Sequence, residues 1–143
     1  MRKLLFLFTL LLCTVVTNAQ RFFYVEDGNM GENVLKQDLL KASQFVAKTP
    51  IVSEFIIRTA SVFETKKNLA TLQIIVEDTA TFRTVFQAKE EYSCTSVKMD
   101  SQLFLRIAMK GLIEKSFEQM ILCAENNYRH SVMGLPTEKK DKT

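Results

Sequence analysis

"ATLQIIVEDTATFRTVFQAKEEY" (70 to 92) is the stretch whose reading decides the fold. In its first part Ala70, Leu72, Ile74 and Val76 point one way, while Thr71, Gln73 and Glu77 point the other. A period of two marks a strand with one face buried and one face wet. "FRTVFQAKEEY" (82 to 92) repeats the pattern, with Phe82, Phe86, Ala88 and Tyr92 opposite Arg83, Gln87, Lys89 and Glu91. "DTAT" (78 to 81) turns the chain between them, and so short a connection makes the two strands antiparallel.

Outward from this hairpin, "EFIIRTASVFE" (54 to 64) is rich in branched and aromatic residues and reads as a third strand, set off by the polar break "ETKKN" (64 to 68). Further upstream, "RFFYVED" (21 to 27) is a first strand that ends at Gly28 and Gly31. Between the two, "ENVLKQDLLKASQFVAK" (32 to 48) places Leu35, Leu39, Ala42 and Val46 on one helical face, broadened by Leu40 and Phe45. The spacing predicts a helix over 32 to 47, ended by Thr49-Pro50. Downstream, "DSQLFLRIAMKGLIEKSFEQMILCAENN" (100 to 127) opens on Asp100 or Ser101 as a cap and predicts a second helix over 101 to 126. Leu105, Ala108 and Leu112 with Ile107 and Phe104 form its apolar stripe, Phe117, Met120, Ile121 and Ala124 extend it, and Gly111 marks close packing.

The expected fold class is therefore α+β. Its order is β-α-β-β-β-α, a mixed four-stranded sheet with both helices on one face. The strand-helix-strand start makes a crossover between parallel strands. The expected core comprises Leu35, Leu39, Phe55, Ile57, Leu72, Ile74, Val76, Phe86, Leu105, Ala108 and Leu112.

The amino-terminal end places the chain in a compartment. Arg2 and Lys3 precede an apolar run from Leu4 to Val16, which is shorter than the ~20 residues that a bilayer crossing needs. Thr17 and Ala19 then supply small residues at the -3 and -1 positions of a peptidase site, so residues 1 to 19 read as an export signal. Lipidation at Cys13 is the lesser alternative, because bulky Leu12 stands where such sites want a small residue. The expected organisation is a signal peptide over 1 to 19, one domain over 20 to 136 and a charged tail over 137 to 143. The mature protein is expected to be periplasmic or secreted, with no transmembrane anchor after signal removal.

Charge and chemistry exclude several function classes. Arg2 and Lys3 account for two of the 19 basic residues, leaving 17 against 16 acidic in the mature chain, and no basic stripe suggests nucleic acid. The four glycines form no phosphate-binding cluster, and one histidine with scattered cysteines gives no metal-ligand spacing, so no cofactor and no metal are expected. Adjacent Glu90 and Glu91 face opposite sides of a strand and cannot work as a paired acid and base. His130 with Ser131 is the one candidate base and nucleophile, and an exposed histidine near the chain end is the plainer reading. Cys94 and Cys123 remain after processing in a compartment where disulfides persist, so they either bridge or stay as two thiols.

Three segments together carry a family likeness. "SEFIIRTASVF" (53 to 63) looks like the first long strand, "IIVEDTATFRTVFQAKEE" (74 to 91) the hairpin and "LRIAMKGLIEKSFEQM" (105 to 120) the closing helix of a cell-envelope α/β domain. In this pattern the chain resembles the curli-secretion lipoprotein family and is similar to the amino-terminal domain of the Tol-Pal periplasmic propeller proteins. Ala80-Thr81 stands where that hairpin usually has Thr-Gly. The resemblance implies an accessory role in the envelope. With no catalytic constellation, the expected function is a non-catalytic binding or assembly module that takes an envelope protein or a second copy of itself, the alternative being a small secreted hydrolase using His130. The expected partner surface is the helix-free sheet face at Ile56, Val62, Ile75 and Val85.

Overall fold

The computed structural model describes the backbone of residues 20–94 and 100–133, with side chains through residue 128. The expected signal over 1 to 19 with Cys13, and the expected tail over 137 to 143, lie outside the described residues, as does the side chain of His130. The strands are β1 (Phe22–Val25), β2 (Phe45–Val46), β3 (Phe55–Glu64), β4 (Leu69–Asp78) and β5 (Thr84–Ser93). Helix α1 spans Glu32–Lys41 and helix α2 spans Ser101–Met133, with a short 3-10 turn at Pro50–Val52. The architecture is α+β, a mixed sheet of five strands in the order β2-β1-β3-β4-β5. Strand β1 pairs in parallel with both β2 and β3, while β3, β4 and β5 form an antiparallel meander.

The fifth strand corrects the expected count of four. Helix α1 stops at Lys41 instead of continuing to residue 47, because Ser43 takes a left-handed conformation with φ 59°. Leu40 accepts from the Ser43 N–H at 3.1 Å, and Leu39 accepts from the Gln44 N–H at 2.9 Å, closing the helix end. Phe45 and Val46 then leave as a parallel strand, with the Phe45 N–H on the Arg21 carbonyl and the Ala47 N–H on the Phe23 carbonyl. A helical period and a strand of two residues coincide at Val46, and tertiary pairing decides for the strand. Leu40 and Phe45 are accordingly exposed.

One face of the sheet carries the core. Phe23 aligns with Phe55, Val25 with Ile57, Ile57 with Val76, and Ile74 with Ala88, so alternate residues of every long strand share that face. Leu35 and Leu39 of α1 meet this face together with the α2 stripe Leu105, Ala108, Met109, Leu112, Ile113, Met120 and Ala124 in a single cluster. All the expected core residues belong to the cluster, Phe86 as a partly buried member. Ile107 does not, since it is exposed on the outer side of α2.

The close approach of the helices occurs at Gly31 and not at Gly111. Gly31 caps α1 at φ +83°, and a β-carbon there would sit 2.7 Å from Ile113 Cδ1 and 3.1 Å from Met109 Cγ. Gly111 is exposed, and an added β-carbon meets nothing within 4 Å.

Candidate functional site

Among the described residues, helices α1 and α2 leave the other face of the sheet uncovered. Its centre is polar. Arg58 stands opposite Ile75 in the register, and its guanidinium holds Glu77 at 2.5 Å and Glu26 at 3.0 Å, joining β3 to the neighbouring strand and to the end of β1. Hydrogen bonding to Glu77, reinforced by Glu26, keeps the Arg58 pKa above its ordinary value. Ile56 lies opposite Glu77 and Ile75 opposite Arg58, so both half-buried isoleucines flank charges and do not form a continuous apolar patch. Val62 is exposed further along β3. Val85 leaves this set: the register slips at Val76/Glu77, making Val85 the extra residue of a bulge, and its side chain packs partly against the core.

Apolar surface gathers instead at one end of the sheet. Phe22 and Phe45 stack across β1 and β2 with ring centroids 4.6 Å apart, and both are exposed. The 3-10 turn beside them presents Ile51, 92% exposed, and Val52, 63% exposed. The β4–β5 turn adds Phe82, 81% exposed and held at φ 58°. Hydrogen bonds lace these loops together: the Thr79 hydroxyl donates to the Ser53 carbonyl at 2.7 Å, the Thr79 N–H to the Glu54 carbonyl at 3.0 Å, and the Glu54 N–H to the Phe22 carbonyl at 2.9 Å. Asp78 shapes the turn that carries Phe82. One of its carboxylate oxygens accepts from the Ala80 and Thr81 N–H groups, and the other accepts from the Asn127 side chain of α2 at 2.8 Å.

Sequence reading missed most of these residues. Phe45 falls in phase with the preceding helix, and Phe82 falls in phase with the buried side of β5, whereas the turn ends only after Phe82. Ile51 and Val52 beside Pro50 carried a signal, since two large apolar residues in a turn have no strand or helix face to hide behind.

Other candidates are spread through the fold. A cavity of about 720 Å³ opens between residues 28–34 and the first turns of α2, with Glu32, Gln102, Arg106 and Lys110 on its walls. Lys36 binds Glu32 at 2.6 Å and holds its carboxyl below the usual range, with help from the Gly28 N–H. A smaller space of about 220 Å³ lies at Ser53, Asp78 and Asn127. Glu90 accepts from Lys115 at 2.5 Å and from the Tyr92 hydroxyl at 2.6 Å, which holds its carboxyl low. Burial, and then Glu90, pushes the Tyr92 pKa up to about 12. The register puts Glu90 on the core side and Glu91 on the open side, opposite Leu72 and Thr71. The structure does not join Cys94 and Cys123 in a disulfide, and both side chains are half-buried. Among the described residues no three of His, Cys, Asp and Glu cluster as metal ligands, and no helix is long and apolar enough to cross a membrane.

Comparison with known proteins adds fold likenesses at low similarity. No family model and no curated protein matches the chain. Among solved structures, the chain is similar to the LpoB C-terminal domain from Salmonella enterica, at 10% identity and a TM-score of 0.37, covering 53% of this chain and 84% of that one. It is also similar to lipoprotein GNA1162 from Neisseria meningitidis, at 11% identity and a TM-score of 0.42, covering 71% of this chain and 96% of that one.

Proposed function

We propose that this protein is a non-catalytic binding or assembly module of the bacterial cell envelope, exported to the periplasm or beyond, which takes a protein partner on the apolar end of its sheet. The observation that carries this reading is the group Ile51, Val52 and Phe82 with the Phe22–Phe45 stack, all exposed on loops and strand ends that hydrogen bonds fix to one another. Isolated exposed apolar residues are ordinary, but several on one rigid end form the kind of surface that partners cover. Phe82 adds weight because a bulky residue in the left-handed region costs on the order of 1 to 2 kcal/mol, and its exposure returns nothing to the fold. The alternative, a small secreted hydrolase, rests on His130 alone.

Affinity capture from the native envelope tests the proposal with wild type and an Ile51→Glu, Phe82→Glu variant. Both positions are exposed, so the variant keeps the fold. The expected result is a defined protein enriched by wild type and lost by the variant. Equal recovery by both, or turnover of an ester, peptide or glycan substrate that His130→Ala abolishes, overturns the proposal.

A further inference from the structure

The outer edge of β5 points to a second surface, independent of the apolar end. Among the described residues no strand lies beyond β5, so ten residues present one side of their backbone unpaired. Such an edge invites pairing with another chain. Its hydrogen-bond phase is fixed by the Cys94 N–H, which donates to the Asn68 carbonyl at 2.8 Å and continues the register in which Ser93 faces Leu69. Alternate residues of an antiparallel strand bond to the same neighbour. Ala88, Glu90 and Tyr92 therefore bond to β4, while Gln87, Lys89, Glu91 and Ser93 turn their N–H and C=O groups outward. The bulge at Val85 ends the regular stretch, so the usable edge is 87 to 93.

We propose that this edge pairs antiparallel with the β5 edge of a second copy, about a two-fold axis at Glu90. In that register Lys89 faces the second copy's Glu91, and Gln87 faces the second copy's Ser93. All four outward residues of each copy then enter hydrogen-bonded pairs, and two cross-strand pairs of opposite charge form on the open face. Centring the axis one residue away puts Lys89 on Lys89 or Glu91 on Glu91, and like charges directly opposite are unfavourable. Edge lysines normally discourage pairing, so a Lys two residues before a Glu turns a general deterrent into a preference for its own kind. On the helix side the chosen register brings the two Glu90 residues together, but each carboxylate is already held by Lys115 and Tyr92. The same register sets Tyr92 against the second copy's Ala88, covering side chains that are half-buried in one copy.

Sedimentation velocity over a range of concentrations tests this on the protein secreted under its own leader. A monomer-dimer equilibrium is expected for wild type, weakened on the order of tenfold or more by Lys89→Glu or by Glu91→Lys. The double variant Lys89→Glu, Glu91→Lys should restore it, and a mixture of the two single variants should form a heterodimer, since every facing pair is then opposite in charge. A monomer at all concentrations overturns the proposal, as does an association that the single variants leave unchanged. The Ile51→Glu, Phe82→Glu variant should still dimerise, which separates failure of this edge from failure of the partner surface.

Discussion

Two glycines show how far single residues decide this structure. Gly31 sits at φ +83° against Ile113 and Met109, so Gly31→Ala should destabilise by at least about 1 kcal/mol from backbone conformation, with the clash adding to it. Gly111 is exposed within α2 and an added β-carbon meets nothing within 4 Å, so Gly111→Ala should stabilise by about 0.5 to 1 kcal/mol. A urea titration of the two variants checks the opposite signs. Tyr92 supplies a second residue-level outcome. Its folded pKa is raised to about 12 by burial and by Glu90, from 10.0 for the ordinary residue. A raised pKa favours the protonated form in the folded state, so its contribution is whole below pH 10 and lost as pH rises through 12. Stability measured from pH 9 to 12 should fall, and Tyr92→Phe should flatten that fall. Buried positions were legible at this scale because parity alone sorts Leu72, Ile74 and Val76 to the core. Gly111 departs from the expected close packing because a glycine's role depends on what faces it, which sequence does not contain.

At the scale of elements, strong periods were readable and their ends were not. The antiparallel hairpin and α2 follow from long regular patterns, and α2 continues beyond the expected residue 126 to Met133. The helical period runs past the end of α1 at Lys41 because Ala42 and Val46 keep its phase after Ser43 has broken the backbone. The expected turn over 78 to 81 ends too early, since Phe82 takes a left-handed conformation between β4, which ends at Asp78, and β5, which begins at Thr84. That turn depends on Asp78. Its carboxylate accepts from two turn N–H groups and from Asn127, tying the hairpin to the far part of α2. Asp78→Ala removes all three bonds and should cost on the order of 2 kcal/mol. Asn127→Ala should cost less, because the turn bonds survive. If the two variants unfold at the same urea concentration, Asp78 acts only through the helix.

For the whole molecule, the apolar end that defines the candidate site was hidden from sequence reading because it is assembled from β1, β2, the 3-10 turn and the β4–β5 turn. The first described residues belong to this same end. The Arg21 N–H donates to Gln44 at 2.8 Å, its carbonyl accepts from Phe45, and its guanidinium lies 3.2 Å from the centre of the Tyr128 ring. The expected cut after Ala19 would leave Gln20 as the first residue, next to Arg21. The proposed cut rests on the small residues Thr17 and Ala19 that follow the apolar run. Intact-mass analysis of the protein from its native host should accordingly show a chain starting at Gln20. A chain starting at Cys13 with added acyl mass would instead leave a seven-residue tether, residues 14 to 20, between a lipid and Arg21. The apolar end would then be held close to a membrane, and Ile51 and Phe82 would have lipid as a competing neighbour. The mass therefore decides the processing, and with it whether a lipid anchor lies within seven residues of Arg21.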